Sequence, residues 1–182
     1  MKFKSLDNSE VEAVLRRLGA EKLSEGAMED TYYSHHDKDF GDSDEALRLR
    51  KRGGSAELTY KGPRMPASSA KAREELTVSL GDALSTSRIL ERLGFRELLS
   101  ITKKRTTYRL DALRVDVDVV EGLGQFVELE ILTEDVAKAE KLLDAARKEL
   151  PLGTEVKRTY LELLLDDRRC PPAHFSERSN PL

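Results

Sequence analysis

Residues 114–132, RVDVDVVEGLGQFVELEIL, alternate apolar and charged side chains on both sides of a short glycine-containing segment. Val115 and Val117 oppose Asp116 and Asp118, and the second half repeats the pattern with glutamates at 128 and 130. A period of two predicts strands with two unlike faces. The glycines of EGLGQF predict a tight turn rather than a phosphate-binding loop, because no helix follows them. We therefore expect two strands joined by this turn, each with one apolar and one acidic face.

The same alternation recurs elsewhere, which brings the predicted strands to eight. The other six are KFK at 2–4, ALRLRKR at 46–52, ELTYKG at 57–62, REELTVSL at 73–80, ITKKRTTYRL at 101–110 and TYLELLL at 159–165. A sheet that covers a core and exposes its polar face to water is the ordinary explanation of such strands. Solvated faces usually mix uncharged and charged residues, whereas here Arg and Lys dominate some strands and Asp and Glu dominate others. This separation of basic and acidic residues onto different strands favours a functional site over a solvated surface.

Three segments carry a helical period instead. Residues 7–18 have an apolar stripe with Asp7 and Glu10 spaced as a capping pair, and residues 82–93 repeat this plan with Asp82 as N-cap. Residues 135–149 form the third run, which Leu150-Pro151 ends. All three are typical of amphipathic helices that cover a sheet.

Composition narrows the class of protein. Charged residues make up 36% of the 182 residues, against roughly 25% in an ordinary domain. The 31 basic and 34 acidic residues give a net charge of −3, which argues against a nucleic-acid partner. The single cysteine, Cys170, excludes a disulfide framework. Without a signal peptide or a run of about 18 apolar residues, we expect a cytoplasmic protein with no membrane partner.

We predict an α+β fold in which an eight-stranded antiparallel β-barrel points its charged faces inward and has the helices packed outside. Its interior would hold nine cations, Lys2, Lys4, Arg48, Arg50, Lys61, Arg73, Lys103, Arg105 and Arg109, and six carboxylates, Glu75, Asp116, Asp118, Glu128, Glu130 and Glu162. Burying an uncompensated charge costs several kcal/mol, so the surplus of cations indicates an anionic ligand. A polyphosphate suits Arg and Lys, and the carboxylates suit Mg²⁺ or Mn²⁺.

Eight short motifs in order resemble the CYTH family, named for class IV adenylyl cyclases and thiamine triphosphatases. They are KF at 2–3, DTYY at 30–33, DEALRLR at 44–50, LTYKGP at 58–63, AREE at 72–75, TKKR at 102–105, VDVVEGLGQFVELE at 117–130 and TYLELL at 159–164. The resemblance implies a triphosphate tunnel domain over residues 1–166. We expect residues 167–182 to be a disordered tail because they lack any apolar period.

The resemblance also implies site residues. The phosphate-binding set is Lys2, Arg48, Arg50, Lys61, Arg73, Lys103 and Arg105; the metal ligands are Glu128, Glu130, Asp118 and Glu75; the catalytic set is Asp118, Lys61 and Arg105. Asp118 is expected as a ligand or a proton acceptor, and Glu74 competes with Glu75 for its position. For each basic residue the alternative is an ordinary exposed strand charge.

The family pattern opens with E-x-E-x-K, in which the lysine corresponds to Lys2, so both glutamates would precede Met1. Either the natural start lies upstream or two carboxylates have been lost, and the alternation of Lys2-Phe3-Lys4 favours the upstream start. His35, His36, Asp37 and Asp39 resemble metal ligands, but a solvated Gly- and Asp-rich loop is the favoured interpretation.

The resemblance implies an enzyme whose substrate is a nucleoside triphosphate or inorganic tripolyphosphate. A class IV adenylyl cyclase would form cyclic AMP and pyrophosphate, whereas a tripolyphosphatase or a nucleoside or thiamine triphosphatase would release orthophosphate. A non-catalytic triphosphate-binding module is the third hypothesis. The motifs favour the cyclase group as relatives without deciding the activity. A homodimer is favoured only by its general frequency.

Overall fold

The computed structural model describes residues 1–64, 73–131 and 136–169 of the chain. Within them eight strands and four helices follow one another. The strands are β1 (Lys2–Lys4), β2 (Glu21–His35), β3 (Ala46–Arg52), β4 (Ser55–Lys61), β5 (Glu75–Leu80), β6 (Phe95–Leu110), β7 (Leu113–Val120) and β8 (Gly124–Ile131). The helices are α1 (Asn8–Arg17), α2 (Ala83–Arg92), α3 (Val136–Glu149) and α4 (Tyr160–Arg169).

All eight strands belong to one antiparallel sheet in the order β1-β8-β7-β6-β2-β3-β4-β5. β1 and β5 are its edges, and no pairing joins them within the described residues. The outer edge of β1 bonds instead to the segment before α4, where Lys4 N donates to Thr154 O and Val156 N donates to Lys2 O. Backbone groups that closure would need are already paired there. The predicted closed barrel is therefore not confirmed, and the described residues form an open sheet.

The three predicted helices are confirmed as α1, α2 and α3. Asp7 caps α1 by accepting from Ser9 N, and Asp82 caps α2 by accepting from Leu84 N and Ser85 N. An aspartate in extended conformation before a helix satisfies amide groups that have no intrahelical partner. These local bonds explain why sequence spacing alone located both helix starts.

The segment TYLELLL was predicted to be a strand, and this prediction is wrong because the residues form the start of α4. Glu162 accepts from Thr159 N while Thr159 Oγ1 accepts from Glu162 N, which is a reciprocal capping box. α4 continues to Arg169, three residues into the predicted tail, and residues 170–182 lie outside the described part. The eighth strand is β2, which the alternation of apolar and charged residues does not predict.

Helices α1 to α3 cover the apolar face of the sheet. Val11 and Leu15 of α1 are fully buried against Val115 and Val127, and Ala146 of α3 joins the same cluster. α2 packs through Leu90 on β2 and β3. α4 lies on the other face, where Tyr160 packs with Leu99, Ile101, Val120 and Phe126 at one end of the sheet. α4 therefore encloses the polar residues next to this cluster, such as Lys103 and Asp118, which are buried.

None of the helices described is both long enough and apolar enough to cross a membrane.

Candidate active site

Charged side chains line the face of the sheet that α1 to α3 leave uncovered. Strand register aligns them, since directly opposed residues in an antiparallel pair share a face: Arg105 lies opposite Asp118, and Asp116 opposite Glu128. We call nine of them the charged face: Lys2, Asp30, Arg48, Arg50, Lys103, Arg105, Asp116, Asp118 and Glu128. Eight of the nine were predicted to line an interior, and Asp30 is the addition.

Arg105 is at the centre of this face. Its Nε and Nη2 donate to the two oxygens of Asp118 at 2.7 and 2.5 Å, Nη1 donates to Asp116 at 2.7 Å, and Nη2 also reaches Glu128 at 2.7 Å. Burial alone would lower the pKa of Arg105, but the three carboxylates, Asp118 foremost, raise it above its usual value. Arg105 is therefore a permanently charged group that three carboxylates hold in a fixed orientation.

Asp30 ties β2 to its two neighbouring strands. It is 2% exposed, accepts Nε and Nη2 of Arg50 at 2.5 and 2.8 Å, and lies 3.2 Å from Lys103 Nζ. Burial favours its neutral form, but Arg50 and Lys103 outweigh that effect and lower the pKa of Asp30. Burial and the nearby Arg105 charge lower the pKa of Lys103. The D of the quoted DTYY motif was the only sequence signal for this residue.

Glu128 and Glu130 project from β8 two residues apart and so share a face. Glu128 accepts from Arg105 and lies 3.6 Å from Lys2 Nζ, whereas Glu130 is largely exposed and lies 3.7 Å from Arg114 Nε. Burial raises the pKa of Glu128, yet Arg105 and Lys2 outweigh it and hold that pKa below its usual value. The Glu128 side chain is therefore an ionised carboxylate, and its oxygens are suitable metal ligands.

This donor set fits Mg²⁺ or Mn²⁺, because such ions are usually held by one or two carboxylates together with substrate phosphates. Glu128 and Glu130 would hold the ion. The described residues contain no cluster of metal-ligating groups that unites them with Asp118 or Glu75. Asp118 is fully buried and already accepts bonds at both oxygens. The four-carboxylate metal set remains a prediction from the sequence.

Three predicted phosphate binders lie toward the β3–β4–β5 side. Arg48 is buried and donates through Nη2 to Thr59 and Glu57, while its Nε finds no acceptor among the described residues. Lys61 pairs with Glu75 at 2.7 Å. Arg73 instead donates to backbone oxygens, those of Gly62 and Asp44, at 2.7 and 2.5 Å. Arg73 therefore links Gly62, at the end of β4, to Asp44, before β3, and no bond joins it to the charged face among the described residues.

A cavity of about 430 Å³ opens beside Arg105. Its lining residues come from six strands and are Met28, Arg50, Arg52, Ser55, Ala56, Glu57, Ser79, Leu80, Arg105 and Arg114. Residues of β5 and β7 thus line one space although four strands separate them in the sheet, which shows that the open sheet is strongly curved. Arg52 and Arg114 were not predicted as site residues. Four arginines around one cavity suit a polyanion.

α4 closes the other end of the charged face. Tyr160 packs against Phe126 with ring centroids 5.0 Å apart, and its hydroxyl donates to Asp118 Oδ2 at 2.9 Å. Burial, reinforced by Glu128 and Asp118, raises the pKa of Tyr160. The hydroxyl is therefore a donor. The alternation in TYLELLL predicts a strand there, so the sequence alone does not identify Tyr160 as a site residue.

The histidine cluster lies outside this site. Ligand atoms of His35, His36 and Asp37 come within 4.8 Å of one another. They bond mainly among themselves, since His35 Nδ1 accepts from Asp37 N and His36 Nε2 lies 3.0 Å from the Asp37 carboxylate. These contacts join the end of β2 to the turn that follows it, and the solvated-loop interpretation stays a prediction from the sequence.

A match to one known family covers nearly the whole chain. The family model of the CYTH domain matches residues 1–171. The chain belongs to the CYTH family. A Methanocaldococcus jannaschii protein named "Putative adenylate cyclase MJ0240" is 36% identical over 168 residues, which cover 90% of this CYTH chain and 95% of that relative.

Solved structures share the fold of this CYTH chain. PH1819 from Pyrococcus horikoshii OT3 is 36% identical with a TM-score of 0.78, covering 92% of this chain and 98% of its own. The Hippeastrum protein HpAC1, described with a dominant triphosphatase activity, is 19% identical with a TM-score of 0.69, covering 91% and 94%. HpAC1 shares the fold of this chain, and the triphosphatase activity in its description refers to HpAC1 itself.

Proposed function

We propose that this CYTH protein is a metal-dependent enzyme that acts on a triphosphate bound at the charged face, with adenylyl cyclisation as its first candidate activity. The observation that carries the proposal is the cavity in which Arg50, Arg52, Arg105 and Arg114 converge. Preorganised guanidinium groups stabilise the charge that develops on transferred phosphoryl groups. A cytoplasmic location and a homodimer stay predictions from the sequence.

The residues of the site have different roles in this proposal, and each role follows from the position of the side chain. Arg50 and Arg105 are held by buried carboxylates, so their remaining donors have fixed directions when a phosphate arrives. Arg48 offers a buried Nε that no described residue accepts. A metal ion held by Glu128 and Glu130 would neutralise phosphate charge when bound. A tunnel that closes around the ligand is not required, because the open sheet already surrounds the cavity.

Of the predicted catalytic residues, Arg105 has the position that the proposal needs. Lys61 lies at the β4–β5 side, where it pairs with Glu75 at 2.7 Å. Asp118 is engaged by Arg105 and Tyr160, so its contacts favour orientation of Arg105 over proton transfer or metal ligation.

The cyclase candidate draws on the M. jannaschii relative and its adenylate cyclase name. In that reaction the ribose 3′-hydroxyl attacks the α-phosphorus of ATP, and pyrophosphate leaves. The charged face would hold the β- and γ-phosphates, which become the leaving group, so that its arginines stabilise the negative charge gained on departure.

One observation favours triphosphate hydrolysis as the second candidate. Among the described residues, those that line the cavity include no aromatic ring and no amide that could hold adenine. A site that grips only the phosphate chain accepts inorganic tripolyphosphate as readily as a nucleotide.

Phosphorus NMR separates the candidates. Purified protein is incubated with Mg²⁺ or Mn²⁺ and either ATP or tripolyphosphate, beside a Glu128→Gln, Glu130→Gln double variant as the matched inactive control. Cyclic AMP with pyrophosphate supports the cyclase, and orthophosphate supports the hydrolase. If wild type and control both bind without forming product, the protein is a binding module and the proposed enzymatic function is wrong.

A further inference from the structure

Tyr160 of α4 contacts the charged face from outside the sheet. The residue is 6% exposed, and its hydroxyl donates to Asp118 Oδ2 at 2.9 Å. The same oxygen accepts Nη2 of Arg105 at 2.5 Å, while Asp118 Oδ1 accepts Nε of Arg105 at 2.7 Å. Tyr160 and Arg105 therefore share one acceptor atom, and the tyrosine hydroxyl limits how the carboxylate can rotate beneath the guanidinium.

The ring of Tyr160 contacts two further cations. Lys2 Nζ lies 4.0 Å from the ring centroid and Lys103 Nζ lies 5.2 Å from it. Both distances are within the range of cation–π attraction, which is stronger where the cation is desolvated. Lys103 is 5% exposed. One side chain of α4 thus touches two of the predicted phosphate-binding cations directly and a third through Asp118.

We propose that Tyr160 is a positioning residue for the triphosphate site. Its hydroxyl fixes Asp118 and thereby the fork of Arg105, and its ring fixes Lys2 and Lys103. It acts through these groups and does not itself contact the ligand. The proposal deepens the proposed function and depends on it for the identity of the ligand. It links the docking of α4 to anion binding, since whatever displaces Tyr160 loosens three cations together.

The hydroxyl and the ring can be tested separately. Tyr160→Phe keeps the ring and its packing on Phe126 but removes the bond to Asp118. Tyr160→Leu removes both. Tyr33→Phe is the matched control, because Tyr33 is also buried and its hydroxyl bonds to Ser87 Oγ at 3.1 Å, on the face of the sheet covered by α2.

The first readout is calorimetric binding of tripolyphosphate with Mg²⁺, together with KM and kcat for the product that phosphorus NMR identifies. We expect Tyr160→Phe to weaken binding about 10-fold, as for loss of a hydrogen bond to a charged group, with a larger effect on kcat/KM than on thermal stability. Tyr160→Leu should weaken binding further. Tyr33→Phe should bind as wild type does.

The second readout needs no ligand. In ¹H–¹⁵N spectra, the Arg105 Nε–H signal is assigned by its loss in Arg105→Lys. It should shift or broaden in Tyr160→Phe and stay in place in Tyr33→Phe. An unmoved signal in Tyr160→Phe overturns the positioning role, whatever the activity. If the signal moves in Tyr160→Phe but the wild-type protein binds no tripolyphosphate, the positioning of Arg105 is supported and the proposed function is wrong.

Discussion

The carboxylate of Asp30 and the guanidinium of Arg50 form a two-point bond across the β2–β3 pair, with Nε–Oδ1 at 2.5 Å and Nη2–Oδ2 at 2.8 Å. Lys103 approaches the same carboxylate from β6 on the other side. Asp30 therefore neutralises cations from two strands at once. This arrangement places the geometry of the predicted phosphate-binding cations under the control of a residue on the long central strand β2.

Replacing Asp30 with Asn should lower the free energy of unfolding by about 3–5 kcal/mol, because it removes the counter-charge of the buried Lys103 and the half-buried Arg50. Urea denaturation at pH 7, followed by circular dichroism, measures the change. The control is Asp37→Asn, an exposed carboxylate, for which we expect less than about 0.5 kcal/mol. A change in Asp30→Asn as small as in the control would contradict the account.

The same pair predicts the pH dependence of stability. The pKa of Asp30 is lower in the folded protein than in the unfolded chain, so the unfolded chain binds the extra proton first as pH falls. The contribution of Asp30 is complete above the ordinary aspartate pKa of about 3.9 and is lost as pH falls below it. The unfolding free energy of wild type should therefore decline more steeply between about pH 5 and pH 2 than that of Asp30→Asn. Parallel curves for the two proteins would show that this carboxylate does not carry the effect.

Arg114 and Arg109 offer a matched pair, since they lie directly opposite each other in the β6–β7 register. Arg114 lines the cavity, whereas Arg109 pairs with Glu21 and is half-exposed. Arg114→Ala should weaken tripolyphosphate binding about 10-fold through loss of a charge-assisted contact, and Arg109→Ala should change it less than about 2-fold. Calorimetry at fixed ionic strength measures both. Equal losses would indicate general electrostatic attraction instead of a defined site.

The proposed function gives Glu128 two roles, holding the metal ion and pairing with Arg105, and Glu128→Gln separates them. The change should reduce metal-dependent turnover about 100-fold, as for loss of one preorganised charge contact. Binding of tripolyphosphate in EDTA should hold or tighten, because Arg105 and Lys2 lose an anionic competitor. Weaker binding without metal would mean that Glu128 supports the fold of the site more than it binds a cation.

The sequence predicted those parts of the fold that local chemistry determines. Asp7 and Asp82 cap their helices by bonds to amides within three residues, and alternation located β3, β4 and β7. The strand prediction for TYLELLL is wrong because an alternating apolar pattern and a capping box coexist in the same residues. The capping bonds of Thr159 and Glu162, with the packing of Tyr160, decided for helix. The T-x-x-E spacing was the signal available.

The rest of the site depends on register, which a single sequence does not contain. Asp30 lies in EKLSEGAMEDTYYSH, where Gly26 and scattered charges obscure the period. Its burial follows only from the partners that β3 and β6 place beside it. Arg73 alternates like Arg105 in the sequence, yet it precedes β5 and bonds to carbonyl oxygens. Alternation identified which side chains share a face, and strand pairing decided which of them meet.

A crystal structure of the protein with tripolyphosphate bound would show whether the arginine-lined cavity is the binding site. We expect phosphate oxygens within hydrogen-bond distance of Arg50, Arg105 and Arg114 in the cavity beside the charged face. Tripolyphosphate bound on the helix-covered side of the sheet, with those three guanidinium groups free of it, would show that the charged face is not the site.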